Sequence, residues 1–172
     1  MDLARHIRDI PDFPKPGIQF KDITPLLLDA DALSAAVGQL ADWARPLDVD
    51  FVVAAEARGF ILGAAIARDL GAGFVPARKP GKLPHETIAA EYILEYGVDA
   101  LELHADALAD GARVLLHDDL LATGGTARAL AGLVEGTGAR IAGCAFLVEL
   151  AFLRGRDRLA GYDVHALLSY DE

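Results

Sequence analysis

Val114-Leu115-Leu116-His117-Asp118-Asp119-Leu120-Leu121-Ala122-Thr123-Gly124-Gly125-Thr126 is the stretch on which the reading of this chain turns. Arg113 to His117, with Val114, Leu115 and Leu116 at its centre, is expected as a buried strand. It ends in two adjacent carboxylates. A small, Gly-rich turn follows, and a helix is expected from about Thr126 to Glu135. In a parallel sheet, ligands bind beyond the carboxyl ends of the strands. Residues 122–126 are placed to expose backbone N–H groups at a helix N-terminus, which attracts anions. Thr123 and Thr126 add hydroxyl donors, and the glycines allow the backbone to approach a phosphate closely. Asp118 and Asp119 would repel that phosphate but are suited to accept hydrogen bonds from sugar hydroxyls. A phosphate beside two hydroxyls describes a ribose 5-phosphate. Other nucleotide motifs fail: no Lys follows Gly124-Gly125, so this is not a P-loop, and no G-x-G-x-x-G follows a strand. Two glycines alone would indicate only a tight turn. Strand, acid pair and small-residue turn in this order carry the reading.

Working outward, strands and helices alternate. Upstream, Leu33, Val37, Leu40 and Ala44 mark one face of an amphipathic helix, capped by Asp29 or Asp31 and closed by Pro46. Phe51 to Ala55 is expected as a buried strand, Phe60 to Leu70 as a helix ending at Gly71, and Gly73 to Ala77 as the next strand. Downstream, Ile141 to Val148 makes a fourth strand. This alternation predicts an α/β fold with a parallel sheet covered on both faces. Two regions break the pattern. Leu3, Ile7 and Ile10 have helical spacing, after which Pro11, Pro14, Pro16, Gly17 and Pro25 leave residues 11–25 as an ordered loop or short cap. Ile88 to Tyr96 and Ala100 to His104 flank Gly97-Val98-Asp99, expected as a hairpin inserted between two parallel units. Before it, Arg78-Lys79-Pro80-Gly81-Lys82-Leu83-Pro84 is basic and rich in turn formers, a candidate mobile flap.

The totals narrow the class. A length of 172 residues, 53% hydrophobic and 24% charged, suits one globular domain with a real core. No repeat, low-complexity tract or linker divides it, so a single domain over residues 1–172 is expected. A net charge of −10 argues against a nucleic-acid surface, though a local pocket in an acidic protein is able to be positive. Cys144 is the one cysteine, which rules out an internal disulfide and fits a reducing compartment. The N-terminus shows no signal-peptide pattern, and the apolar runs are too short to span a bilayer. A cytoplasmic protein is expected.

The Val114–Thr126 stretch closely resembles the phosphoribosyl pyrophosphate signature of the purine and pyrimidine phosphoribosyltransferases. The wording of Leu120 to Thr126 is similar to that of the adenine-using branch. Other segments agree in order. Pro11 to Pro25, with Phe13, Phe20 and Asp22, resembles the family's N-terminal hood, placed at residues 1–28. Glu56-Ala57-Arg58-Gly59-Phe60 resembles its pyrophosphate loop. Residues 78–105 resemble its flexible flap and hairpin, including Leu94-Glu95-Tyr96-Gly97. Val148-Glu149-Leu150 matches a late element beside the base. The resemblance implies the type I phosphoribosyltransferase fold, with a central parallel sheet flanked by helices. It implies transfer of phosphoribosyl from phosphoribosyl pyrophosphate to adenine, giving AMP and pyrophosphate.

The resemblance also implies roles. Ala122, Thr123, Gly124, Gly125 and Thr126 hold the 5-phosphate, and Asp118 and Asp119 hold the ribose 2- and 3-hydroxyls. Arg58 pairs with pyrophosphate in two-pronged fashion, a non-proline cis bond being expected at Glu56–Ala57. Arg78, Lys79 and Lys82 surround the pyrophosphate as the flap closes; the plainer reading is a solvated basic loop. Mg²⁺ is expected, held mainly by substrate oxygens and water. No protein metal cage is visible, since His85-Glu86 lacks the second His that H-E-x-x-H needs. Backbone at Gln19 and Lys21 reads the adenine amine, Leu150 packs on the ring, and Phe20 stacks on it or serves as a core aromatic under the hood. Glu95, with Tyr96 beside it, is the candidate for proton transfer; otherwise it is a solvent-facing carboxylate. A homodimer is implied, with small-molecule substrates only.

Three features depart from the family pattern: His117 before the acid pair, Ala54-Ala55 before Glu56, and the bulky Ala151-Phe152 after Leu150. None touches the phosphate loop. The rival readings are a 6-oxopurine phosphoribosyltransferase, against which the hood argues, and a non-catalytic module that senses phosphoribosyl pyrophosphate. A phosphoribosyl pyrophosphate synthase would need an ATP site and a longer chain.

Overall fold

The computed structural model describes residues 1–94 and 97–172. A 3-10 turn, Leu3–His6, leads into strand β1 (Arg8–Pro11), and β2 (Gln19–Asp22) returns antiparallel to it. The expected N-terminal helical stretch is therefore a turn and a strand. So short a helix ahead of a proline is marginal alone, and pairing with β2 satisfies the backbone instead. Residues 11–25 are likewise not all loop. They include β2 and the start of α1 (Thr24–Leu28), whose Pro25 sits in the first turn where a missing N–H is no loss.

Helix α2 (Ala30–Ala44) begins as expected at Asp29, which accepts from the N–H groups of Asp31 at 3.0 Å and Ala32 at 2.9 Å. Its buried stripe runs through Ala32, Ala36, Val37, Leu40, Ala41 and Ala44. Next come β3 (Phe51–Ala55), α3 (Gly59–Leu70), closed by Gly71 at φ 70°, and β4 (Gly73–Ala77). The inserted hairpin is β5 (Thr87–Leu94) and β6 (Gly97–His104). Its register pairs Leu94 with Gly97, so Gly97, Val98 and Asp99 belong to β6 and not to the turn. Then follow β7 (Arg113–Leu121), α4 (Gly125–Gly136), β8 (Arg140–Leu150) and β9 (Val164–Tyr170).

Five parallel strands form the main sheet in the order β4-β3-β7-β8-β9. Neighbouring residues of one strand are both buried, as a sheet covered on both faces requires. Val52 and Leu115 pack with Leu40, Leu62 and Ile66 on the α2–α3 side. Val53 and Leu116 pack with Leu101, Leu103, Leu130 and Val134 on the hairpin and α4 side. The type I phosphoribosyltransferase fold is thus present. Among the described residues, no helix is long and apolar enough to cross a membrane.

Two strands run longer than their apolar runs suggest. β7 continues through the acid pair to Leu121, and β8 continues to Leu150. Pairing of Asp118 with Phe146 and of Leu120 with Val148 extends the ladder, so the carboxylates stand within the strand rather than after it.

Candidate active site

The carboxyl ends of β3 and β7 open onto a cavity of about 400 Å³. Glu56, Ala57 and Arg58 line it from the turn after β3, Lys79 and Tyr92 from the flap side, and Asp118, Asp119, Leu120, Ala122 and Thr126 from β7 and its loop. A smaller cavity of about 70 Å³ lies within the loop, lined by Asp118 and residues 120–127. Thr123, Gly124 and Gly125 line this smaller cavity and not the larger one. Gly124, at φ 81°, precedes α4, and among the described residues no side chain caps the helix. The first-turn N–H groups are left for a ligand.

The acid pair is held tightly. Arg58 Nε donates to Asp119 Oδ2 at 2.6 Å, and the Asp119 N–H donates to Asp118 Oδ1 at 2.9 Å. Burial, and next the charge of Asp119, push the Asp118 carboxyl well above the ordinary range, while Arg58 pulls it back. Close packing contributes: a Cβ on Gly59 would stand 2.9 Å from Asp118 Oδ1, so a larger residue at the start of α3 would have to displace that carboxyl. His117 lies directly before the pair and is buried. Its Nδ1 is 2.9 Å from Ala145 O, and among the described residues its Nε2 has no partner. Burial lowers its pKa to about 4, so the ring is neutral and Nδ1–H donates to the carbonyl.

The turn after β3 contains the expected cis bond at Glu56–Ala57. Glu56 accepts from Lys79 N at 2.7 Å and from Arg78 Nη2 at 3.1 Å. The Lys79 N–H, followed by Arg78, holds the Glu56 carboxyl below its usual value against the effect of burial. Lys79 Nζ donates to the Asp99 carboxylate and, at 3.2 Å, to the Tyr92 hydroxyl, which itself donates to Asp99 at 3.1 Å. Burial pulls the Lys79 ammonium down, but the bonds to Asp99 and Tyr92 outweigh it and its pKa rises. Arg78 and Lys82 do not line the cavity: Arg78 Nη1 reaches the Lys82 carbonyl at 3.4 Å, and Lys82 is exposed.

In the hood, Gln19 is exposed and Phe20 is half-buried. Phe20 meets Phe13 edge-on at 5.1 Å, and the Arg58 guanidinium stands 5.2 Å from its centroid. Ile10, Phe13, Phe20 and Asp22 line a recess of about 250 Å³. The Lys21 side chain is buried, bonded to Asp9 Oδ1 at 2.6 Å and 3.9 Å above the Tyr170 ring. Leu150 ends β8 inside the α2–α3 core and lines none of these cavities. Glu95 and Tyr96 lie outside the described residues.

Three side chains of the site carry no role in the sequence reading: Glu56, Tyr92 and Asp99. Tyr92 and Asp99 meet across the hairpin, in paired positions of β5 and β6, so only its register reveals them. Among the described residues, no group of three or more His, Cys, Asp or Glu side chains could hold a metal ion.

Known proteins resemble this chain in both sequence and fold. The phosphoribosyl transferase domain family matches residues 24–165. The adenine phosphoribosyltransferase of Rubrobacter xylanophilus is 57% identical over 171 residues, 99% of this chain and 92% of that protein. The crystal structure of adenine phosphoribosyltransferase from Thermoanaerobacter pseudethanolicus has a TM-score of 0.96 and 53% identity, covering 98% of each chain. That of the Saccharomyces cerevisiae enzyme, complexed with an imino-altritol bisphosphate and adenine, has a TM-score of 0.91 and 37% identity, covering 97% of each. On the match to residues 24–165 and on these identities, the chain belongs to the phosphoribosyl transferase family.

Proposed function

We propose that this chain transfers the phosphoribosyl group of phosphoribosyl pyrophosphate to adenine, giving AMP and pyrophosphate. The observation that carries the reading is the cavity at the ends of β3 and β7, which joins a helix N-terminus, an acid pair and two cations. The 57% identity to a relative named for this activity supports adenine as the base.

In this reading the N–H groups of Ala122 to Thr126 hold the 5-phosphate, and Asp118 and Asp119 bind the ribose hydroxyls. Arg58 turns from Asp119 to the pyrophosphate, joined by Lys79 and, on flap closure, by Arg78 and Lys82. Hard carboxylate oxygens at Asp118 and Asp119 suit the outer sphere of a Mg²⁺ held mainly by substrate. When bound, that ion neutralises charge on the departing pyrophosphate. Adenine lies against Phe20, with a backbone carbonyl at Gln19 or Lys21 accepting from its amine. A 6-oxopurine would set acceptor against acceptor there and cost roughly 1–3 kcal/mol. Glu95, with Tyr96 beside it, moves the proton on the base. The bond to pyrophosphate loosens first, through an oxocarbenium-like state with inversion at C1. Orientation and charge neutralisation supply most of the acceleration.

The test is pyrophosphate release by the purified chain with Mg²⁺, phosphoribosyl pyrophosphate and one base at a time. Release with adenine alone is expected. Release only with hypoxanthine or guanine would overturn the reading of the hood, and tight sugar binding without release would favour the sensing module. A homodimer belongs to the same proposal; monomeric sedimentation at working concentration would remove it.

A further inference from the structure

The 5-phosphate loop rests on a second piece of backbone far along the chain. A 3-10 turn, Gly155–Leu159, packs directly beneath it. A Cβ on Gly155 would stand 2.3 Å from Ala122 O and 3.1 Å from Gly124 N; one on Gly124 would stand 2.5 Å from Gly155 O. No side chain fits between Gly124 and Gly155, so the backbones of turn and loop meet directly there, with Leu121 Cδ1 packed beside the contact.

That turn carries Arg158. Its Cβ lies 3.2 Å from where a Cβ on Gly124 would be, and its Nη1 lies 3.8 Å from the corresponding point on Gly125, the first residue of α4. The side chain is exposed, and among the described residues it has no ion pair or hydrogen bond. Its neighbours differ. Arg58 is paired with Asp119, Lys79 with Asp99, Arg156 with Glu149, and Arg128 with Tyr162 and Glu135. A cleft of about 390 Å³ between β5 and α4, with Arg158 on its wall, leaves the guanidinium room to turn.

The charge balance of the loop calls for such a group. Leu120 to Thr126 contains no cation, and the Arg58 guanidinium that reaches the acid pair is already engaged by Asp119. A sugar phosphate brings about −1.5 to −2 at neutral pH. The helix N-terminus offers only about half a positive charge. We propose that Arg158 is a further phosphate-binding residue, whose guanidinium turns from Gly125 onto the phosphate oxygens of the bound sugar. The inference rests on the phosphoribosyl reading of the site. A planar, always-charged fork suits two phosphate oxygens at once. Phosphoribosyl pyrophosphate, AMP and ribose 5-phosphate share this group, and free pyrophosphate lacks it.

The test uses the full chain and its Arg158→Met and Arg158→Lys variants. Calorimetric titration with AMP, ribose 5-phosphate and pyrophosphate is compared with KM and kcat for phosphoribosyl pyrophosphate. Arg158→Met is expected to weaken AMP and ribose 5-phosphate, and to raise KM for phosphoribosyl pyrophosphate, by about tenfold. Pyrophosphate binding and kcat at saturation should stay within about twofold, and Arg158→Lys should recover part of the loss. Unchanged sugar-phosphate binding in Arg158→Met overturns the assignment. So does an equal loss of pyrophosphate binding, which would mark a general structural role. A parent protein that binds neither AMP nor ribose 5-phosphate overturns the functional reading together with this one.

Discussion

Burial drives His117 and Asp118, adjacent on β7, in opposite senses: the imidazole pKa falls to about 4 and the carboxyl rises well above its ordinary value. Both shifts favour the neutral form, but their effects on stability slope oppositely with pH. Between about pH 6.5 and 4 the unfolded chain protonates His117 and the folded chain does not. Stability therefore falls as pH falls through that window, by roughly 3 kcal/mol in all at about 1.4 kcal/mol per unit. Asp118 behaves conversely: the folded state keeps a proton that the unfolded chain loses above pH 3.8, so its contribution declines as pH rises. Asp22, Glu56 and Asp99, whose carboxyls lie below the usual range, add stability that is lost only at more acid pH. His117→Leu isolates the first of these effects. It sacrifices the bond to Ala145 O but also removes the unpartnered Nε2. Urea midpoints at pH 8 and pH 5 should show the parent losing more stability on acidification than the variant. An equal loss in both would mean that the buried imidazole is not responsible.

At the scale of elements, the phosphate loop and the turn beneath it form one unit. Gly124→Ala meets both a φ of 81° and a contact of 2.5 Å with Gly155 O; Gly155→Ala meets Ala122 O at 2.3 Å. Each should cost roughly 1–3 kcal/mol and raise KM for phosphoribosyl pyrophosphate. The double variant should cost less than the sum, because both break one contact. Gly132→Ala, inside α4 with nothing within 4 Å of the added carbon, should instead stabilise by roughly 0.5–1 kcal/mol. Thermal melts and steady-state kinetics on the four proteins read all of this; additive losses would separate loop from turn. Half of this unit was legible in the sequence, because acid pair, glycines and helix start are contiguous. The other half was not, because Gly155 and Arg158 reach the loop only through the return of the chain after β8. The same limit explains β9, whose Val164–Tyr170 is mostly half-buried and shows no alternation of period two. Leu3, Ile7 and Ile10 misled for a different reason: their spacing fits a helix, but strand pairing with β2 decides the backbone. The alternation from Phe51 onward is legible because each of its elements buries its own apolar run.

For the whole molecule the question is how the hood is held against the sheet. Among the described residues the β1–β2 ribbon has no hydrogen-bonded partner in the five-stranded sheet, and a two-stranded ribbon is marginal alone. Its position therefore depends on side chains. Lys21 crosses the junction, bonded to Asp9 within the ribbon and standing over Tyr170 at the end of β9. Leu3, Ile23 and Leu26 anchor the flanking turn and helix in the α2 core, and Arg58 meets Phe20 from the sheet side. In the proposed reaction the base rests on the ribbon and the sugar on the sheet, so the junction sets the distance between the reacting atoms. Lys21→Met keeps the stem's bulk and removes both the ion pair and the cation above the ring. With roughly 1–2 kcal/mol of such interaction lost, KM for adenine should rise about tenfold. KM for phosphoribosyl pyrophosphate should stay within about twofold, because Asp118, Asp119 and the phosphate loop belong to β7 and α4 and do not depend on the ribbon. Equal rises in both constants would mean that the ribbon and sheet respond as one rigid body, and that Lys21 stabilises the fold rather than setting the reach between base and sugar.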